Sequence, residues 1–166
     1  MYRFLLILLA VFLIASSPLF FGQTRNRAYK LMLGGLLSHT VPEIDIPAAA
    51  RAEGVFFLDA REPVEYEVSH IEGALNVGFN HFDLQSVAHI PKDTPVIIYC
   101  SVGFRSEKIA EKMKRDGFTA VSNLYGGIFE WVNEGHAVVC NGTPTERVHA
   151  FDRVWGIWLH RGTRVY

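Results

Sequence analysis

The stretch that most restricts the fold of this chain is the apolar run at residues 95–100, Pro-Val-Ile-Ile-Tyr-Cys. It has the length of a strand, is rich in β-branched residues and carries no charge, which is typical of a parallel strand covered on both faces. Residues 55–59, 74–77 and 120–124 are further segments of strand length. A sheet built from such strands needs helices to cover it, so the segments between them must supply those helices.

Helical segments alternate with the predicted strands. Residues 47–53 and 62–68 begin with a proline or with an acidic residue followed by a proline, as helix starts do. Residues 106–117 carry one apolar stripe and end at a glycine, and residues 128–133 form a short helix around Trp131. This alternation predicts an α/β domain with a mostly parallel central sheet flanked by helices.

The two ends of the chain differ from this central part. Residues 4–21 contain no charged side chain, and a run of this length is either a signal peptide or a short membrane anchor. Apolar residues recur at helical spacing over residues 148–160, which predicts an amphipathic, helical C-terminal tail packed on the domain. The predicted organisation is a targeting or anchoring segment over 1–22, a connector over 23–42, a domain over 43–140 and a C-terminal extension over 141–166.

The N-terminal segment also bears on where the protein resides. Pro18 follows the small residues that a signal peptidase would need, and this favours an uncleaved anchor over a cleaved peptide. A short basic start before an apolar run is typical of export, so we expect a membrane-anchored or exported protein with its domain on the extracytoplasmic side. The basic residues after the run, Arg25, Arg27 and Lys30, point the other way under the positive-inside rule.

The composition of the chain argues against several classes of function. The formal net charge is -1 at pH 7, so the chain lacks the basic excess that a nucleic-acid partner would require. Two cysteines, Cys100 and Cys140, are too few for a disulfide framework, and the seven histidines are scattered. Without clustered ligands, no metal site is predicted.

The loop after the strongest strand holds the candidate catalytic residues. Cys100 ends that strand and a helix begins soon afterwards, which is the edge where open α/β sheets bind ligands. A tight turn there directs several backbone N–H groups toward one point and stabilises a cysteine as its thiolate. Gly103 permits the turn, and Arg105 can hold an oxyanion through paired hydrogen bonds. We predict that Cys100 and Arg105 are catalytic and that the substrate-binding loop comprises Ser101, Val102, Gly103, Phe104 and Ser106.

Four short motifs follow one another along the chain. Residues 100–106 read CSVGFRS, and residues 58–63 read LDAREP. Residues 69–77 read SHIEGALNV, and residues 124–131 read LYGGIFEW. The first resembles the active-site loop of single-domain rhodaneses, C-x-x-G-x-R-S/T, and the others resemble further motifs of that family in the same order. One departure is Ser69, where the family usually has glycine.

The resemblance implies a three-layer rhodanese-like domain with thiosulfate sulfurtransferase-like activity. In such enzymes a cysteine thiolate takes sulfane sulfur from an anion such as thiosulfate, or from a persulfide donor. The cysteine becomes a persulfide and passes the sulfur to cyanide or to a thiol. By that resemblance Cys100 and Arg105 are the catalytic residues, Asp59 and Arg61 form a structural ion pair or help to order the site, and no cofactor is needed.

Three alternatives stay open from the sequence. A phosphatase or arsenate reductase is one, although the related phosphatases have one residue more between cysteine and arginine than the four that separate Cys100 from Arg105. A binding module without catalysis is the second, although such domains usually lack the cysteine. A redox role for Cys140 is the third.

Overall fold

The computed structural model describes the backbone of residues 18–166 and the side chains from residue 27 onward. The predicted signal peptide or anchor over residues 1–22 therefore lies almost wholly outside the described residues. Among the helices that are described, none is both long enough and apolar enough to span a membrane. The chain divides after Gly35 into two compact units, and the second unit, Leu36–Tyr166, contains the sheet and the candidate site.

Five parallel strands form the central sheet. In chain order they are β1 (Glu43–Ile44), β2 (Phe56–Asp59), β3 (Leu75–Asn76), β4 (Val96–Tyr99) and β5 (Val121–Leu124). Their order across the sheet is β1-β5-β4-β2-β3, which places β4 in the centre. Every residue of β4 is buried, as its uncharged, β-branched sequence predicts.

The helices begin close to the positions that the sequence indicates. They are α1 (Pro18–Leu36), α2 (Ile46–Ala49), α3 (Pro63–Val68), α4 (Phe104–Arg115) and α5 (Gly127–Asn133). The Glu62 side chain accepts from the backbone N–H of Glu65, and the Glu65 carboxylate accepts from the backbone N–H of Glu62 at 3.1 Å, so the acidic start of this helix is a capping box. The predicted α/β fold, with a parallel sheet flanked by helices, is confirmed.

The C-terminal extension differs from the prediction. The chain forms a hairpin from β6 (Val138–Cys140) and β7 (Thr143–Thr145), and then a parallel pair from β8 (Arg147–His149) and β9 (Thr163–Val165). The single amphipathic helix predicted over residues 148–160 is wrong, because residues 147–149 pair with β9 and only Trp155–Trp158 form a 3₁₀ turn. Phe151, with a φ of 65°, has a left-handed backbone that no α-helix can continue through.

The extension nevertheless buries several of its apolar side chains. Val148, Ala150 and Leu159 are buried, whereas Val154 and Ile157 are exposed. Apolar residues that are buried from a strand and a turn happen to recur at helical spacing, which explains why the sequence pattern was misleading. The domain boundaries proposed from the sequence stay a prediction.

The start of α5 packs tightly against the loop that follows β4. The amide of Ile128 donates to the carbonyl of Cys100 at 2.9 Å, and the amide of Phe129 donates to that of Ser101 at 3.1 Å. A Cβ atom on Gly127 would lie only 2.4 Å from the Cys100 carbonyl oxygen. The chain therefore needs glycine at position 127 to hold the two backbones this close.

Replacement of this glycine should destabilise the protein more than its backbone angle alone explains. Gly127 (φ +59°) and Gly142 (φ +73°) are both left-handed, but a Cβ on Gly142 meets nothing within 4 Å. We expect Gly142→Ala to cost about 1–2 kcal/mol for the left-handed backbone. Gly127→Ala should cost about 1–3 kcal/mol more because of overpacking. Urea unfolding of both variants measures the difference, and equal losses would show that the contact with Cys100 imposes no constraint.

Candidate active site

Cys100 lies directly after β4, at the carboxyl edge of the sheet. Its residue is buried, and its Sγ accepts a hydrogen bond from the amide of Gly103 at 3.2 Å. The hydroxyl of Ser106 lies 3.5 Å from the same sulfur. Gly103 caps the N-terminus of α4 with a φ of 112°, a conformation that favours glycine and turns its N–H back toward the sulfur. The structure thus shows one backbone amide and one hydroxyl at the sulfur, whereas several converging backbone N–H groups were expected.

A buried polar network supports this turn from the neighbouring strand. The side-chain amide of Asn123, on β5, donates to the carbonyl of Gly103 at 3.0 Å. Ser106 Oγ lies 2.7 Å from Asn123 Oδ1 and 3.1 Å from the Gly103 carbonyl. A hydroxyl has one proton, so Ser106 serves the sulfur or one of these oxygens at a time. Sequence reasoning missed Asn123, although a fully buried polar residue within a strand is the kind of signal that marks such a role.

Arg105 does not extend freely into the site. Its Nη1 donates to Glu65 Oε2 at 2.6 Å and its Nη2 donates to Glu65 Oε1 at 2.8 Å, which is a bidentate ion pair. Nη2 also donates to Ser101 Oγ at 3.0 Å. From the sequence, Arg105 was expected to hold an oxyanion through paired hydrogen bonds, whereas the structure shows its guanidinium bound by a carboxylate from α3. Glu65 was missed because it lies forty residues away in the sequence.

Glu65 and Arg105 shift each other's pKa values. Burial alone would raise the pKa of Glu65, but the hydrogen bonds and charge of Arg105, aided by Arg61, lower it below the ordinary value. Burial would likewise lower the pKa of Arg105, but the hydrogen bonds that it donates to Glu65 and its electrostatic interactions with Cys100 and Glu65 raise it. Both partners are therefore charged near neutral pH, and the clamp on the loop is ionic.

Asp59 and Arg61 form a second, deeper ion pair. Both side chains are fully buried, with Arg61 Nη2 only 2.6 Å from Asp59 Oδ2 and 2.6 Å from the carbonyl oxygen of Ser69. Burial opposes the charge of Arg61, but Asp59 raises its pKa above the ordinary value. The pair ties the end of β2 to the segment before β3. A cavity opens beside Cys100, and neither of these two side chains lines it.

A cavity of about 310 Å³ opens beside Cys100. Its walls are mainly apolar, and two of its aromatic side chains, Phe151 and Trp155, come from the C-terminal extension. From the sequence, those two residues were expected to pack on the domain. Five of the seven predicted site residues line the cavity, whereas Gly103 and Ser106 act behind the sulfur. The lining consists of Leu36, Cys100, Ser101, Val102, Phe104, Arg105, Phe151 and Trp155.

Cys140 lies apart from this cavity. It is on β6, is partly exposed, and its thiol lies 3.2 Å from the carbonyl of Glu67. Both cysteines are free thiols. Within residues 18–166, no three His, Cys, Asp or Glu side chains are grouped closely enough to hold a metal ion.

Comparisons with known proteins relate this chain to rhodanese-like domains. The family model of the rhodanese-like domain matches residues 46–134. Among curated relatives, the tRNA uridine(34) hydroxylase of Onion yellows phytoplasma is 35% identical over 88 residues, which are 50% of this chain and 29% of that protein. The protein of the same name from Escherichia coli K12 is 36% identical over 83 residues, which are 47% and 24% of the two chains. The chain thus spans about a quarter of these relatives.

Solved structures share the architecture. A rhodanese-related protein from Thermoplasma volcanium superposes with a TM-score of 0.55 at 24% identity, over 60% of this chain and 99% of that one. A protein from Bacillus halodurans has the same TM-score at 27% identity, over 69% of this chain and 85% of that one. The family match covers more than half of the chain and includes β2, β4, α4 and the loop that carries Cys100. The chain therefore belongs to the rhodanese-like domain family.

Proposed function

We propose that this protein is a sulfurtransferase that carries sulfane sulfur on Cys100 as a persulfide. The observation that carries the proposal is the geometry around one sulfur atom. The backbone N–H of Gly103 donates to Cys100 Sγ at 3.2 Å, at the N-terminus of α4 and beside a cavity. This amide donor and the helix start favour negative charge on that sulfur, and the persulfide that would form there is also an anion.

The proposed reaction has two steps. The Cys100 thiolate attacks the outer sulfur of a donor such as thiosulfate, the S–S bond breaks, and sulfite leaves with the bonding electron pair. Cys100 then carries the outer sulfur as a persulfide anion. An acceptor, cyanide or a thiolate, attacks that sulfur and releases the Cys100 thiolate. Covalent catalysis of this kind gives ping-pong kinetics.

The ion pair of Arg105 argues against the phosphatase and arsenate reductase alternatives. A phosphate or arsenate dianion needs a guanidinium that is free to make paired hydrogen bonds. Here both terminal nitrogens of Arg105 are bound to Glu65. We infer that Arg105 acts as a positioning residue, which ties the loop to α3 through Ser101 and Glu65.

The name of the curated relatives raises a second candidate function. On that basis, this protein would take part in the hydroxylation of uridine 34 of tRNA. The shared part is about a quarter of those relatives, and the chain has a formal net charge of -1, which gives little attraction for RNA. The cysteine loop lies within residues 46–134, which the family model matches, so we favour sulfur transfer.

Cys100 should be the only site that acquires sulfur. After incubation with thiosulfate, we expect mass spectrometry to find one added sulfur atom on the peptide containing Cys100. Cys100→Ser should remove that adduct and reduce the turnover of thiosulfate and cyanide to background, because the variant lacks the nucleophile. Cys140→Ser is the matched control and should retain both. Sulfur loading on Cys140, or full turnover by Cys100→Ser, would contradict the proposal, and hydroxylation of tRNA without loading would favour the second candidate.

The clamp between Glu65 and Arg105 should make stability depend on pH in a defined window. Because folding lowers the pKa of Glu65, its contribution is complete above the unfolded value of about 4.3 and is lost as pH falls through the folded value. Glu65→Gln should therefore cost about 2 kcal/mol at pH 7, since it leaves Arg105 with a neutral partner. The gap between variant and wild type should shrink below about pH 4.

Urea unfolding over a series of pH values measures this gap. Glu72→Gln, at an exposed carboxylate, is the control and should change stability little at any pH. A gap between Glu65→Gln and wild type that stays constant from neutral to acidic pH would show that the charge of Glu65 does not stabilise the fold.

A further inference from the structure

We propose that the C-terminal extension makes the Cys100 cavity a binding site for sulfane-sulfur donors that carry an apolar organic group. The inference deepens the proposed function and rests on it, because it names the class of donor for the same cysteine. It concerns Phe151 and Trp155, which lie beyond the part of the chain that the family model matches.

The walls of the cavity are apolar over most of their extent. Phe151 and Trp155 face the cavity from the extension, and Leu36, Val102 and Phe104 complete it. Phe151 is 47% exposed and Phe104 is 40% exposed, so neither ring is buried in the core. Large aromatic side chains left open beside a nucleophile offer a surface that an apolar group would cover favourably.

The charge of the lining favours the same class of donor. Among the residues that the structure describes, Arg105 is the only charged one that lines the cavity, and the bidentate pair with Glu65 balances its charge. The ring of Phe151 lies 5.1 Å from the guanidinium carbon and covers it further. A small dianion such as thiosulfate would therefore lose its hydration without gaining an uncompensated cation from the lining. A donor with less charge and more apolar surface avoids that loss.

Phe151 and Trp155 form an aromatic wall of the cavity, and the backbone that holds this wall is strained at Phe151. Phe151 has a left-handed φ of 65°, which is unfavourable for a bulky residue and is maintained where the surroundings enforce it. Its amide donates to His149 Nδ1 at 3.1 Å. The carboxylate of Asp152 accepts from the amides of Val154 and Trp155 at 2.8 Å each, which fixes the turn that carries Trp155. A strained segment that presents an exposed ring to a nucleophile is better explained by the site than by packing.

The volume of the cavity fits this class of donor. Pockets for small organic ligands have volumes of about 300–1,000 Å³, and this cavity, at about 310 Å³, has room for one aromatic ring or a short aliphatic chain. In the reaction the Cys100 thiolate attacks the terminal sulfur of the donor. The bond between that sulfur and the rest of the donor breaks, and the rest leaves as an anion with the bonding electron pair. The sulfur remains on Cys100 as a persulfide anion, so charge and electrons balance.

The test compares two donors of equal charge on the full chain. Benzenethiosulfonate and methanethiosulfonate are both monoanions that deliver a terminal sulfur and differ in their apolar group. We expect kcat/KM to be higher for the benzene compound by about tenfold or more, since differences of this size follow from filling an apolar pocket. Phe151→Gly, which keeps the left-handed backbone without a ring, and Trp155→Ala should each bring the ratio to within about threefold of unity.

Val154→Ala is the matched control. Val154 lies on the same turn, is 71% exposed and does not line the cavity, so the ratio should stay at the wild-type value. A wild-type ratio near unity, or a ratio that survives both Phe151→Gly and Trp155→Ala, would overturn the inference.

A binding measurement separates this inference from the proposed function. Benzenesulfonate and methanesulfonate carry no transferable sulfur, so calorimetric titration of the Cys100→Ser protein reports the cavity alone. We expect benzenesulfonate to bind at least about fivefold more tightly, and the difference to vanish in Cys100→Ser/Phe151→Gly. Equal binding of the two compounds would overturn the inference even if sulfur loads on Cys100. Tighter binding of benzenesulfonate without sulfur loading from any donor would instead contradict the proposed function, and the assignment of a donor class would be overturned with it.

Discussion

The left-handed turn at Gly103 is the constraint on which the candidate site depends. With a φ of 112°, this residue directs its amide to Cys100 Sγ and its carbonyl toward Asn123, and it also starts α4. The turn is held from outside as well, because α5 donates two amides to the carbonyls of Cys100 and Ser101. A sulfur anion is stabilised only by donors that stay in place, so the rigidity of this backbone is as important as the identity of the nucleophile.

The loop differs from an open anion-binding site because its arginine is already bound by a carboxylate. Glu65 binds both terminal nitrogens of Arg105, and its own pKa is lowered by that arginine. The cation therefore stabilises the loop mainly through a partner carboxylate, and the donors that face the sulfur are a backbone amide and a hydroxyl. Neutral donors suffice for a single sulfur anion, whereas a phosphate dianion requires more positive charge.

Much of the fold and the centre of the site could be predicted because their signals are local. The uncharged run at β4 and the loop from Cys100 onward are continuous in sequence, so both the central strand and the candidate nucleophile could be identified directly from the sequence. Glu65, Asn123 and Phe151 could not be found in that way, because only tertiary structure brings them to the loop. The helix expected over residues 148–160 failed for a related reason: apolar spacing does not reveal strand pairing with β9.

Two different parts of the chain build the cavity. The part that the family model matches, residues 46–134, supplies the nucleophile, the turn and the ion pair. The aromatic wall comes from residues beyond it, carried on a strained residue and a turn capped by Asp152. Under the proposed function, the loop that holds the sulfur tolerates little change, but a wall that only covers the donor can vary without disturbing the turn. On that proposal, the extension is the part of this chain in which donor preference can change independently of sulfur transfer.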